Sequence, residues 1–237
     1  MISHRQGIVY SSPEDNYNLL KNFDFQSDST LLVSQQDGSV ALVDRRTKGV
    51  EAEHEYSLHL KSLRTVSIHP VQTHMFATAS TDGTVCLWDH RKIKSKGKKN
   101  EPVDLVQHAK SVTSAYFSPV TGKYILSTSV DDKISIIKHS SQGKLTTDKA
   151  MRHDNHVGRW LSSFRAVWHP RREDLFVVGS MKRPRQIEIY NDSCEALTTF
   201  KCPDNLGSVC SLNAIHSTRD ILVGANSSGR LHVFMNS

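Results

Sequence analysis

The chain has 237 residues, 37% of them hydrophobic, with 30 lysines and arginines against 24 aspartates and glutamates. That length buries a sizeable core in one or two domains, and no apolar run is long enough to cross a bilayer as a helix, so a helical membrane protein is excluded. The net charge of +6 and the pI near 9.1 favour an acidic partner such as nucleic acid.

The N-terminal stretch MISHRQGIVYSSPEDNYN lacks the apolar centre of a signal peptide, so the expectation is a cytoplasmic or nuclear protein. Cys86, Cys194, Cys202 and Cys210 have no C-x-x-C spacing and are expected as reduced thiols. The Asn-x-Ser matches at Asn191 and Asn226 then carry no glycan.

Along the chain, one unit recurs. A first copy shows as FDF (23–25) and LLVSQQDGSVALVDRR (31–46). Next, RTVSIHP (64–70), TSAYFSP (113–119), FRAVWHP (164–170) and CSLNAIHS (210–217) align on their turn residues at 70, 119, 170 and 217, a period of 47 to 51 residues. Each is followed by a hydrophobic run (MFATAS, YILSTS, LFVVGS, ILVGAN), a polar turn, and an alternating run (TVCLWD, ISIIKH, QIEIYN, RLHVFMN). Period-2 alternation between Gly/Asp turns predicts antiparallel strands. A repeat of this length with four strands and a Trp-Asp ending predicts a β-propeller blade. Trp88, Ile137, Tyr190 and Phe234 share one repeat position and are expected in the core between blades.

The fold expectation is therefore all-β: one partial propeller over 1–237, with about five of seven blades present. The blades run approximately over 17–60, 61–108, 109–157, 158–205 and an incomplete 206–237. GIVYSS, within 1–16, is expected as the outer strand of a missing preceding blade. Unpaired sheets at both ends would favour association.

FATASTDGTVCLWDHRKIKSKG (76–97) followed by SAYFSP resembles the WD-repeat propeller family of damage-specific DNA-binding protein 2 and WD repeat-containing protein 76. The stretch from Gly158 to Tyr190 and the stretch from Ser208 to Asn236 resemble the second branch of that family more closely. The resemblance implies a non-enzymatic nuclear protein of the DNA damage response that binds duplex DNA, damaged or modified bases included. It also implies a substrate receptor that docks on the propeller adaptor of a cullin-4 ubiquitin ligase. No G-x-S-x-G, H-E-x-x-H, P-loop or Rossmann pattern is present, so neither catalysis nor a cofactor is expected. RHDNH (152–156) offers the pair His153 and His156, three apart with Asp154 between them, but no further ligand at fixed spacing, so no metal is expected either. Asp82 and Asp131 are expected to hold their turns through backbone and histidine bonds.

The loops entering the inner strands and the turns between second and third strands form a propeller's narrow face. They carry Lys61, Arg64, Lys110, Arg159, Trp160, Lys182, Arg183 and Arg185. Taken together these predict a phosphate-binding surface; taken singly each is a solvated charge. In the family's repair propeller, the hairpin equivalent to NHVGRWLSS (155–163) pushes side chains into a damaged duplex, and here Gly158-Arg159-Trp160 stand at its tip. Trp160 either stacks on a base or packs against the neighbouring blade.

RKIKSKGKK (91–99), with six basic residues near the wide face, is a weak nuclear signal or a solvated loop. Asp44-Arg45-Arg46 and Asp89-His90-Arg91 end the third strands of consecutive blades. This doublet resembles the motif by which WD-repeat receptors meet the ligase adaptor, which assigns docking to Asp44, Arg46, Asp89 and Arg91. The local alternative is packing within each blade. The second functional expectation is a scaffold for peptides, with histones or a chaperonin as partners, although a lysine-rich tail would want carboxylates, which are scarce on the narrow face apart from the turn aspartates.

Overall fold

The computed structural model describes residues 18–47, 52–158, 161–226 and 228–235. The alternating runs all become strands, arranged in five antiparallel sheets in chain order. The first sheet holds β1 (Leu20–Phe25), β2 (Thr30–Gln35), β3 (Ser39–Asp44) and β4 (His54–Ser57). The second holds β5 (Leu63–Ile68), β6 (Met75–Ser80), β7 (Thr84–Asp89) and β8 (Asp104–Gln107), and the third β9 (Val112–Phe117), β10 (Tyr124–Ser129), β11 (Lys133–His139) and β12 (Leu145–Arg152). The fourth holds β13 (Val167–Trp168), β14 (Leu175–Ser180), β15 (Gln186–Asn191) and β16 (Ala196–Lys201). The fifth has three strands, β17 (Cys210–Ile215), β18 (Ile221–Asn226) and β19 (Leu231–Met235). This is the all-β propeller architecture that the repeat predicts. GIVYSS lies outside the described residues.

The middle strands of the first four sheets are buried on both faces, so these sheets are covered twice, whereas the fifth leaves Leu231, Val233 and Met235 exposed. Neighbouring sheets cover one another. Leu32, Val40 and Leu42 of the first pack on Phe76, Cys86 and Trp88 of the second. Ala77, Val85 and Leu87 then pack on Ala115, Phe117, Ile125 and Ile137. Trp88, Ile137 and Tyr190 are at most 6% exposed, as their shared repeat position requires. Phe234 is partly buried against the fourth and fifth sheets' core.

The innermost strands are joined differently, by side-chain oxygens that reach the free amides of the next sheet. Asn22 Oδ1 and Asp24 Oδ2 accept from Val66 N (3.1 Å) and Ile68 N (2.7 Å). Thr65 Oγ1 and Ser67 Oγ accept from Ala115 N (3.1 Å) and Phe117 N (3.2 Å). At the fourth sheet the expected six-residue inner strand shrinks to β13, two residues long. Its lead-in leaves the ladder to bond the third sheet instead: Thr113 Oγ1 donates to Phe164 O (2.7 Å), and Ala166 N donates to Thr128 Oγ1 (3.0 Å).

The His-Pro turns also acquire a physical reason. Nδ1 of His69 accepts from Val71 N (3.1 Å) and Gln72 N (3.0 Å), capping the turn after β5. His216 accepts in the same way from Thr218 N and Arg219 N. An imidazole accepting at Nδ1 with its ring buried disfavours the proton. Burial, with His139 and His74 nearby, brings His69 from 6.5 down to about 4. The unfolded chain then binds more protons, so this share of stability is complete above pH 6.5 and disappears as pH falls towards 4. We expect about 3 kcal/mol to be lost over that window, read as a falling urea midpoint. His69→Asn, which keeps an acceptor but cannot titrate, should remove that share. An asparagine variant with the wild-type pH dependence would refute the assignment.

Candidate nucleic-acid interface

The sheet order sorts the connections onto two edges. On one edge, each loop that enters an inner strand lies against the turns between second and third strands. Leu58 N and His59 N donate to Gly38 O, Thr81 N to Ser62 O, Val130 N to Ser111 O and His153 N to Asp132 O. Lys61, Arg64, Lys110, Lys182, Arg183 and Arg185 lie in or next to the connections of this edge. Arg159 and Trp160 lie outside the described residues.

The six described cations differ in what they touch. Lys61, Arg64, Lys110 and Arg183 are exposed and form no ion pair among the described residues. Lys21, on the inner strand β1, joins them: burial, then the nearby Arg64 charge, lowers its pKa. Sequence reasoning missed Lys21 because alternation says which face a strand residue takes, not which cation faces it. Arg185 is half-buried, and its Nη1 donates to Met181 O (2.6 Å).

Lys182 departs from the expectation of a free phosphate contact. Its ammonium bonds Glu188 Oε1 at 2.8 Å, and the Glu188 side chain is only 2% exposed. Tyr190 OH (2.7 Å) and Gln186 Nε2 also donate to that carboxylate. Burial alone would raise the Glu188 pKa; the bonds from Lys182, Tyr190 and Gln186 together outweigh it and hold the carboxyl below its ordinary value. Lys182 therefore compensates a buried charge.

Carboxylates of this edge are engaged in the same way. His59 Nδ1 meets Asp82 Oδ2 at 2.9 Å, His59 Nε2 meets Thr78 Oγ1 at 2.8 Å, and Trp88 Nε1 donates to Thr78 Oγ1 at 2.8 Å. This chain ties loop, turn and strand of the second sheet together, and gives Asp82 the turn-holding role predicted for it. Asp131 Oδ2 accepts from Ala109 N (3.1 Å) in the matching place. The RHDNH motif is split. His153 is buried, with Nδ1 on Asn155 Oδ1 (2.8 Å), while His156 Nδ1 turns to Asp132 Oδ1 (2.9 Å). Asp132, Asp154 and His156 bring one ligand atom each within 4.8 Å of one another. Asp132 Oδ1 already accepts from Asn155 N (3.0 Å) and Asp154 Oδ1 from His156 N (3.1 Å).

The opposite edge carries the Asp-x-Arg doublet. Arg91 Nε and Nη2 fork onto Asp89 Oδ1 (2.9 Å) and Oδ2 (2.7 Å), and Arg91 N also donates to Oδ1 (3.1 Å). The Arg91 bond, the largest influence, holds Asp89 down to about 2. Arg46 repeats the arrangement on Asp44, with Arg46 N to Oδ1 at 2.8 Å. Both aspartate side chains are nearly buried, yet the arginines remain 65% and 73% exposed. The local bond and an outward guanidinium face coexist. His90, between them, bonds Tyr56 OH (2.9 Å) and Gln26 Nε2 (3.0 Å) and so clamps the first sheet to the second.

The basic run 91–99 starts at this edge but does not stay there. It folds back along β4, where Lys96 N donates to Glu55 O (2.7 Å), and Asn100 Nδ2 donates to Ser57 O (3.1 Å).

The family model for the WD domain, G-beta repeat, matches residues 51–89, the segment holding His59, Thr78, Asp82 and Trp88. The chain is 50% identical over 232 residues to WD repeat-containing protein 76 of Xenopus laevis, covering 95% of this chain and 38% of that protein. It is 44% identical over 220 residues to the Mus musculus protein of the same name, covering 91% and 34%. It is 30% identical over 221 residues to DNA damage-binding protein CMR1 of Phaeosphaeria nodorum, covering 87% and 42%. A chain in the crystal structure of the mitotic checkpoint complex superposes with a TM-score of 0.66 at 16% identity, over 88% of this chain and 60% of that one, which shows the fold alone. The chain thus spans well under half the length of the curated relatives it matches.

Removing Lys182 leaves Glu188 buried with fewer donors. Lys182→Ala should cost about 1–2 kcal/mol at pH 7, the scale of a hydrogen bond to a charged group. Because the Glu188 pKa is depressed in the folded state, that cost should shrink as acid protonates the carboxyl. Denaturant melts at both pH values test it; a neutral substitution at pH 7 would return Lys182 to the free surface.

Proposed function

From a WD-repeat chain related to WD repeat-containing protein 76 and to the CMR1 DNA damage-binding proteins, we propose a nuclear binding platform of the DNA damage response that takes duplex DNA on its basic edge. One observation supports this reading most. The matched loops HLKS (59–62) and HAKS (108–111) each present an exposed lysine, while the aspartates beside them are engaged by the protein's own loops. Such an edge keeps cations available to phosphates and withholds carboxylates from cationic tails. That favours DNA over the peptide-scaffold reading. A phosphate contact positions the duplex without reading its sequence.

The opposite edge is assigned to the propeller adaptor of a cullin-4 ubiquitin ligase, through Arg46 and Arg91 with Asp44 and Asp89 behind them. Asp89 and Arg91 border a cleft of about 320 Å³ that also includes His74, Val103 and His139. A guanidinium already oriented by its aspartate can offer its remaining N–H groups to a partner at little entropic cost.

Two measurements test these assignments. In fluorescence-anisotropy titrations against salt, Lys61→Ala with Lys110→Ala should lower the log–log slope by about 2, one unit per lost phosphate contact. An unchanged slope removes both lysines from the footprint. Arg46→Ala with Arg91→Ala should abolish capture of the adaptor, since truncating an interface anchor costs about 2 kcal/mol or more each. Alanine is the informative choice, because charge reversal would set a second carboxylate against a buried one. The aspartates keep their backbone donors, so the fold should survive. A folded double variant that still captures the adaptor overturns the docking assignment.

A further inference from the structure

Leu60 is fully exposed, at 101% of the reference for its residue type. Single exposed leucines are ordinary on protein surfaces. This one is unusual in how firmly its backbone is held. On one side, Leu58 is buried in the core and the His59 ring is locked between Asp82 and Thr78. On the other, Ser62 O accepts from Thr81 N (2.9 Å) and from Ser80 Oγ (3.3 Å). Beneath it, Gly38 at φ +90° packs so closely that an added Cβ would stand 2.3 Å from His59 O and 2.8 Å from Lys61 O. The carbonyls flanking Leu60 therefore rest directly on the turn. The side chain is presented to solvent on a rigid mount.

The next repeat supplies an internal control. His108-Ala109-Lys110-Ser111 occupies the same loop, and Gly83 at φ +91° lies beneath it, where a Cβ would meet His108 O at 3.0 Å and Lys110 O at 3.1 Å. Alanine suffices at that position. The leucine is then unnecessary for the loop, and its isobutyl group buries nothing in the free protein.

Its surroundings are cationic. Lys61 adjoins it in sequence, Arg64 follows on β5, and Lys21 lies near Arg64. An exposed apolar side chain in a segment that also carries exposed cations fits a partner with anionic groups outside and apolar faces within. Nucleic acid has that layout, and apolar side chains do enter base steps in bent or unstacked duplexes. We propose that Leu60 is the apolar contact of the DNA-binding edge, entering a base step while Lys61 and Arg64 hold the flanking phosphates. This rests on the DNA-binding reading of that edge and adds to it a residue in a different loop from the 155–163 hairpin.

The test uses the full chain with a short duplex carrying 2-aminopurine, whose fluorescence rises on unstacking, and heparin as a polyanion without bases. Leu60→Ala should weaken duplex binding about tenfold and abolish the fluorescence rise, while the salt slope and heparin affinity stay at wild-type values. Leu60→Phe should retain both duplex signals. Both variants should melt like the wild type, as Ala109 leads one to expect. Wild-type duplex affinity and fluorescence in Leu60→Ala, with salt-dependent binding intact, would overturn the role of Leu60 and leave the edge assignment standing. An equal loss on heparin would overturn the base-step contact. If the wild-type chain showed no salt-dependent duplex binding, the edge assignment itself would fail, and this inference with it.

Discussion

The innermost strand of every sheet has amides on one side that no strand of its own sheet can reach. A buried N–H left without an acceptor costs as much as a lost hydrogen bond, so these amides must be met from elsewhere. In the second, third and fourth sheets they are met by short polar side chains of the preceding sheet: Asn22 and Asp24, then Thr65 and Ser67, then Thr128. The rest of the structure depends on this inter-sheet ladder. Apolar packing brings the sheets face to face but tolerates sliding; a hydrogen bond at alternate residues fixes the register between them.

Once that register is fixed, the two edges follow. Loops entering inner strands gather on one side, and exits from third strands gather on the other. Each edge is then stiffened by its own polar chain. His59, Asp82, Thr78 and Trp88 do this on the cationic side, and Asp89 with His90 does it on the other. Both arrangements leave long basic side chains outermost, over carboxylates that already have partners. The two edges thus end alike, in basic side chains, and differ in the polar chain that stiffens each.

Much of this was legible in the sequence. The repeat period, the strands, the burial of Trp88 and the turn role of Asp82 follow from alternation and turn chemistry, which act over a few residues. What escaped depends on contacts between sheets or on the reach of long side chains. β13 is only two residues long, with residues 164–166 bonded to the third sheet, and nothing in FRAVWHP marks that. Glu188 stands in the alternating run QIEIY, where neither its burial nor its pairing with Lys182 across the turn is marked. In sequence, Leu60 is one more apolar residue before a strand. Only the close approach of Gly38 shows that it is held outward.

We propose that DNA is received by the cationic edge and not by the Asp-x-Arg edge. Hydrogen–deuterium exchange of the chain with and without saturating duplex at low salt tests it most directly. Slowed exchange is expected in the segments around 58–64, 108–111 and 181–186, with no change around 70–74, 119–123 and 170–174. Protection confined to the second group, or spread equally over both edges, would contradict it.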